Sequence, residues 1–148
     1  MSRVRLLDVN MLIAMFEPGH VHHVVAHDWF ADNRQHGWAT CAVTESGFAR
    51  ILSHPRYGSN ARRPAELIGR LQALCAAADH IWWPCAVSLR DERLFNLSAA
   101  THRQLTDIYL LGLAHANGGI FATFDQAIPY NAVVGATMET LEVIAAAR

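Results

Sequence analysis

The stretch "RLLDVNML", residues 5–12, sets a carboxylate inside an apolar run. Leu6 and Leu7 read as the end of a buried strand, and Val9, Met11 and Leu12 resume the apolar pattern immediately after Asp8. Residues 3–8 are therefore read as a short strand, and residues 10–16 as a helix that stops before "EPGH". Asp8 then sits at the carboxyl end of the strand, where open parallel sheets bind their ligands.

Working outward, helical spacing predicts a second helix over 21–32, and "WATCAV" (38–43) a strand, with Thr44 as N-cap of a helix through Leu52. "SHPRYGSN" breaks the pattern, Pro64 opens a helix over 65–78, and "HIWW" (80–83) is a strand closed by Pro84. A short helix is expected over 88–97, a longer one over 105–116 stopped by "NGG", and strands over 119–124 and 140–144. Strands alternating with helices indicate an α/β sandwich around a mostly parallel sheet. The 148 residues suit a single domain, residues 1–148, with no internal repeat or linker.

Composition narrows the function classes. Hydrophobic residues make up 52% of the chain, yet no apolar run reaches the roughly 18 residues of a membrane span. Arg3 and Arg5 precede a run that Asp8 interrupts, which is not the pattern of a signal peptide, so a cytoplasmic protein is expected. Cys41, Cys75 and Cys85 fit neither a disulfide framework nor a CxxC metal site, and are expected to pack as small apolar residues. A net charge of −1 argues against holding nucleic acid by bulk charge alone, and all twelve cationic residues are Arg.

Three acids fall at one sheet edge by pattern: Asp8 after the first strand, Glu45 after the second, and Asp125 after "IFATF". Asp107 lies in the first turn of the helix leading into that last strand. Glu45 and Asp107 are also explicable singly as charges at helix N-termini. Several carboxylates at one edge repel unless a cation joins them, and an all-oxygen set suits Mg²⁺ or Mn²⁺.

The stretches "LLDVNMLIA" (6–14), "TESGFAR" (44–50), "TDIYLLGLA" (106–114) and "ATFDQAI" (122–128) resemble, in order and spacing, the PIN domain, and specifically its VapC-type toxin nucleases. The resemblance runs from Leu6 to about Ile144, and its specificity lies in the ordered set, since DxN alone is weak. It implies a three-layer α/β/α sandwich with a mostly parallel sheet of about five strands. It also implies a Mg²⁺- or Mn²⁺-dependent endoribonuclease, the toxin of a toxin–antitoxin pair, that cleaves RNA (tRNA or rRNA being candidate substrates), forms a homodimer and is inhibited by a VapB-type antitoxin. Asp8, Glu45, Asp107 and Asp125 match the family's acidic positions. By analogy Asp8 and Asp107 would bind metal directly, while Glu45 and Asp125 would act through water or orient the attacking hydroxide. Asn10 and Thr123 match flanking positions that would hold these carboxylates by hydrogen bonds.

Other residues invite other readings. His23 and His27 have the i,i+4 spacing of helical metal ligands, but no HExxH glutamate accompanies them, and a solvated helix start is expected instead. Arg50, and Arg56, Arg62 and Arg63 beside Tyr57, suit phosphate contact and base stacking, or are ordinary surface charges. Of Trp82 and Trp83, one should point inward and one outward. A phosphatase or receiver-like phosphoacceptor using Asp8 as its nucleophile is disfavoured. The haloacid-dehalogenase pattern needs an Asp where this chain has Asn10, and both families need a lysine, which is absent. An RNA-processing PIN nuclease outside toxin–antitoxin pairs, and an inactive PIN-like binding module, are the remaining alternatives.

Overall fold

A computed structural model describes residues 3–145, apart from the side chains of residues 59 and 60. Five strands, β1 (Arg5–Leu7), β2 (Trp38–Thr40), β3 (His80–Trp82), β4 (Ile120–Thr123) and β5 (Leu141–Val143), form one sheet in the order β3-β2-β1-β4-β5. Every pairing is parallel, so the sheet is wholly rather than mostly parallel. The helices are α1 (Val9–Phe16), α2 (His23–Asn33), α3 (Ala42–Leu52), α4 (Pro64–Cys75) and α5 (Leu105–Ala116).

Alternation along the strands divides the core between the two faces. Leu7, Trp38 and Ala122 pack with α1–α4, including Phe16, Phe30, Phe48 and Leu67. Leu6, Ala39 and Phe121 pack with α5 and with Trp83, Phe95 and Val133. The result is the α/β/α sandwich. Helix α1 buries Met11 through Phe16 without interruption, so it is wedged among neighbours rather than laid on the surface. Trp83 is 7% exposed and Trp82 52%, one inward and one outward as alternation requires.

The chain builds outward from β1 to β2 and β3, and then returns to place β4 on the other side of β1. The order therefore reverses between β1 and β4, and the crevice at their carboxyl ends is the topological switch point. Asp8 stands there as N-cap of α1, its Oδ1 accepting from the Val9 amide at 2.7 Å.

Several boundaries differ from the sequence reading. Strand β2 ends at Thr40, because Cys41 is the N-cap of α3; its amide donates to Thr44 Oγ1 at 3.0 Å, so Thr44 closes a capping box instead of opening the helix. No helix forms over 88–97. There Ser88 Oγ and Asp91 Oδ1 accept from the Arg90 and Arg93 amides, and such local bonds compete with helix. The segment instead pairs Phe95 with Val133 in an isolated bridge and lays the Phe95 ring on α5 at Gly112, where an added Cβ would stand 2.3 Å from it. At the end of α5, Gly118 takes φ +69°, and Gly119 passes so near Val4 O that a Cβ would approach to 2.5 Å. Among the described residues no helix is long and apolar enough to cross a membrane.

Candidate active site

Register does the first part of the assembly. Leu7 pairs with Ala122 across β1 and β4, and the Asp8 amide donates to Ala122 O at 2.9 Å, so Asp8 stands beside Thr123. Thr123 Oγ1 donates to Asp8 Oδ2 at 2.6 Å, and accepts from Asn10 Nδ2 at 3.1 Å and from the Asp125 amide at 3.0 Å. One donation and two acceptances use the full capacity of a hydroxyl, so its proton is committed to Asp8. Asp125 is turned by its own Asx contact, with Oδ1 accepting from the Ala127 amide at 2.9 Å.

Asp107 enters from the first turn of α5. Its carboxyl is pushed up to about 7, first by burial, then by the charges of Asp8 and Asp125 and by a hydrogen bond to Asp125. Asp8 is also raised, chiefly by burial, with Asp125 adding to the rise and the Thr123 and Val9 hydrogen bonds opposing it. Asp8, Asp107 and Asp125 thus form one interacting group. Asp107 and Asp125 share a cavity of about 260 Å³ with Arg103 and Gln104.

Glu45 lies on the same edge but is held separately. Its Oε2 accepts from Thr40 Oγ1 at 2.9 Å, and Thr40 Oγ1 is in turn 2.9 Å from His80 Nε2. Burial, followed by the charge of Glu45, raises the nearby Cys75 thiol to about 11.

The donor chemistry fits a hard divalent cation. The groups are oxygens, and two of the carboxyls resist ionising together, a conflict that a bound cation removes. Among the described residues no group of three or more His, Cys, Asp or Glu side chains is arranged to hold a metal ion.

The remaining candidates divide. Arg50 and Arg56 line a second cavity of about 280 Å³ with Ile51, His54 and Tyr57. Arg62 is ion-paired to Glu17 at 3.1 Å, a tie between the start of α4 and the end of α1, and Arg63 is the exposed N-cap residue of α4. His23 is half-buried and His27 exposed at the start of α2, a solvated helix start as expected, but both rings also have backbone partners. They bond to Ala14 O at 2.7 Å and Met15 O at 2.8 Å, capping the last carbonyls of α1. Cys41 is buried, whereas Cys85 is exposed and does not pack as an apolar residue. Sequence reasoning missed Thr40, His80 and Arg103. Only Arg103 carried a local signal, one helical turn before Asp107.

The family model "PIN domain" matches residues 5–133. Ribonuclease VapC44 of Mycobacterium tuberculosis is 41% identical over 140 residues, covering 92% of this chain and 96% of that protein. Ribonuclease VapC39 of the same organism is 40% identical over 131 residues, covering 88% and 94%. Ribonuclease VapC38 is 38% identical over 123 residues, covering 83% and 86%.

Proposed function

The chain belongs to the PIN domain family, among its VapC relatives, and from that premise we propose that it is a Mg²⁺- or Mn²⁺-dependent endoribonuclease, the toxin of a VapBC toxin–antitoxin pair. The observation that carries the reading is the convergence of Asp8, Asp107 and Asp125 at the switch point, where burial and mutual repulsion leave Asp8 and Asp107 reluctant to ionise without a cation.

In this reading Asp8 and Asp107 would hold the ion directly, with Glu45 and Asp125 acting through water or on the attacking hydroxide. The chemistry such an ion would supply is activation of water and neutralisation of charge developing on the phosphodiester. The chain's own residues do the positioning. Thr123, locked by Asn10 and the Asp125 amide, fixes the Asp8 carboxylate. Rigid delivery matters because small misplacements at a reacting centre cost large factors in rate. In the same reading Arg103, which lines the cavity of Asp107 and Asp125, would meet a backbone phosphate, and Arg50 and Arg56, which line the other cavity, would offer a second cationic contact for RNA. Arg62 and Arg63 extend that contact in the same reading, with Arg62 exchanging its Glu17 partner for phosphate. The cytoplasm is the compartment in which this substrate occurs, and a VapB-type antitoxin and a second copy of the chain are the proposed protein partners.

The test is cleavage of cellular RNA by the purified chain with Mg²⁺ and with EDTA, beside the same chain carrying Asp8→Asn. Metal-dependent cleavage lost in the variant supports the reading. Equal cleavage by both proteins rejects it. Co-purification with the product of an adjacent small gene, and inhibition by it, tests the toxin assignment separately.

A further inference from the structure

Thr40 is fully buried and stands between Glu45 Oε2 at 2.9 Å and His80 Nε2 at 2.9 Å, with the Cys75 thiol as a further hydrogen-bond partner that can donate to the remaining lone pair of the hydroxyl. A hydroxyl has one proton to give. A carboxylate can only accept, so the Thr40 proton goes to Glu45, and the approach of His80 is satisfied only if Nε2 carries a proton and donates to Thr40 Oγ1. The opposite assignment would leave two lone pairs facing each other across 2.9 Å.

The fold holds this chain of bonds from both ends. His80 opens β3 and pairs with Trp38 of β2, whose ring lies 4.6 Å from the imidazole between centroids. Trp38 and Thr40 are two residues apart on one strand and share a face, which brings His80 diagonally beneath Thr40. The same face carries α3, from whose first turn Glu45 reaches down. Trp38 is itself anchored, its indole N–H donating to Asp79 Oδ1 at 3.0 Å, with Asp79 paired to Arg34.

We propose that His80 is a positioning residue for Glu45, fixing the Thr40 hydroxyl through its Nε2–H and so holding the Glu45 carboxylate with Oε1 free to serve the site. The proposal rests on the reading of Glu45 as part of the nuclease site. His80 touches neither metal nor substrate in it; it acts only through Thr40. Groups that orient a ligand in this way typically contribute 10- to 100-fold in metal affinity or activity.

Two measurements decide it. The first needs no activity: long-range ¹H–¹⁵N spectra of histidine-labelled, metal-free protein should show His80 in the Nε2–H neutral tautomer with that proton hydrogen-bonded and slow to exchange with water, and Thr40→Val should make it exchange rapidly. A dominant Nδ1–H tautomer would overturn the proposal, because Thr40 would then donate to His80 and leave Glu45 unheld. The second compares His80→Leu with His80→Gln, whose side-chain amide can restore the donor. Mn²⁺ titration and RNA cleavage should show His80→Leu reduced about 10- to 100-fold in metal affinity or kcat with KM for RNA unchanged, and His80→Gln close to wild type. Equal losses in both variants would reduce His80 to packing and overturn the proposal. If the wild-type chain cleaves no RNA under any metal condition, the nuclease reading fails. The tautomer and the Mn²⁺ titration then still decide the role of His80.

Discussion

Replacing Asp107 by Asn should stabilise the metal-free protein at alkaline pH, although it removes a site residue. An aspartate in an unfolded chain titrates at about 3.9, whereas burial and the neighbouring Asp8 and Asp125 lift Asp107 to about 7. The folded state therefore binds the proton more tightly than the unfolded state. Its contribution to stability is fully present below about pH 4 and is lost as pH rises through about 7. The full rise corresponds to about 4 kcal/mol at most. Asp107 keeps partial contact with solvent, which screens the repulsion and reduces the figure to about 1–2 kcal/mol. In a chain of this size that is a melting shift of about 2–8 °C. Thermal melts in EDTA at pH 5 and pH 8 measure it directly. Wild type should lose stability across that interval, with Asp8 contributing in the same direction. Asp107→Asn should lose less and melt above wild type at pH 8. Added Mg²⁺ should then raise wild type more than the variant. A variant that melts below wild type at pH 8 in EDTA would refute the electrostatic account of the site.

Thr123→Val should lower RNA cleavage by about 10- to 100-fold, because it removes the donor to Asp8 Oδ2 and the acceptor for Asn10; steady-state kinetics with a labelled RNA checks this. Gly112→Ala should cost about 1–3 kcal/mol, since its methyl would stand 2.3 Å from the Phe95 ring, and urea unfolding at fixed m-value measures the loss. Arg62→Ala with Arg63→Ala should bind RNA more weakly and with a shallower salt dependence, read from binding isotherms across salt concentrations. In the same variant, loss of the Arg62–Glu17 pair, whose side chains are largely shielded from solvent, should cost about 1–3 kcal/mol of stability.

The acids were legible in the sequence because each closes a strand or opens a helix, and such positions are marked by an abrupt change of hydrophobic pattern. Asp8 between Leu7 and Val9, and Asp125 after "IFATF", announce themselves in this way. Their supports are less visible. Thr40 and His80 are 40 positions apart and meet only through the β2–β3 register, in which Trp38 pairs with His80. Arg62 reads as a free cation until α1 and α4 are brought together and Glu17 takes it. His23 and His27 have metal-ligand spacing along α2, yet they find the last carbonyls of α1, a demand set by the tertiary fold. The helix expected over 88–97 fails for a local reason that the residues did display. Ser88 and Asp91 are strong competitors for backbone amides, and Phe95 is drawn to the gap left by Gly112.

The most direct test of the nuclease account is cleavage of a defined pool of cellular RNA by partner-free protein, with Mg²⁺, with EDTA, and with Asp8→Asn in place of wild type. Asn can retain the cap on α1, so the variant should melt near wild type while losing the anionic oxygens. The account predicts discrete cleavage products with Mg²⁺ that vanish both in EDTA and in the folded variant. Undiminished cleavage in EDTA, or by folded Asp8→Asn, would contradict it.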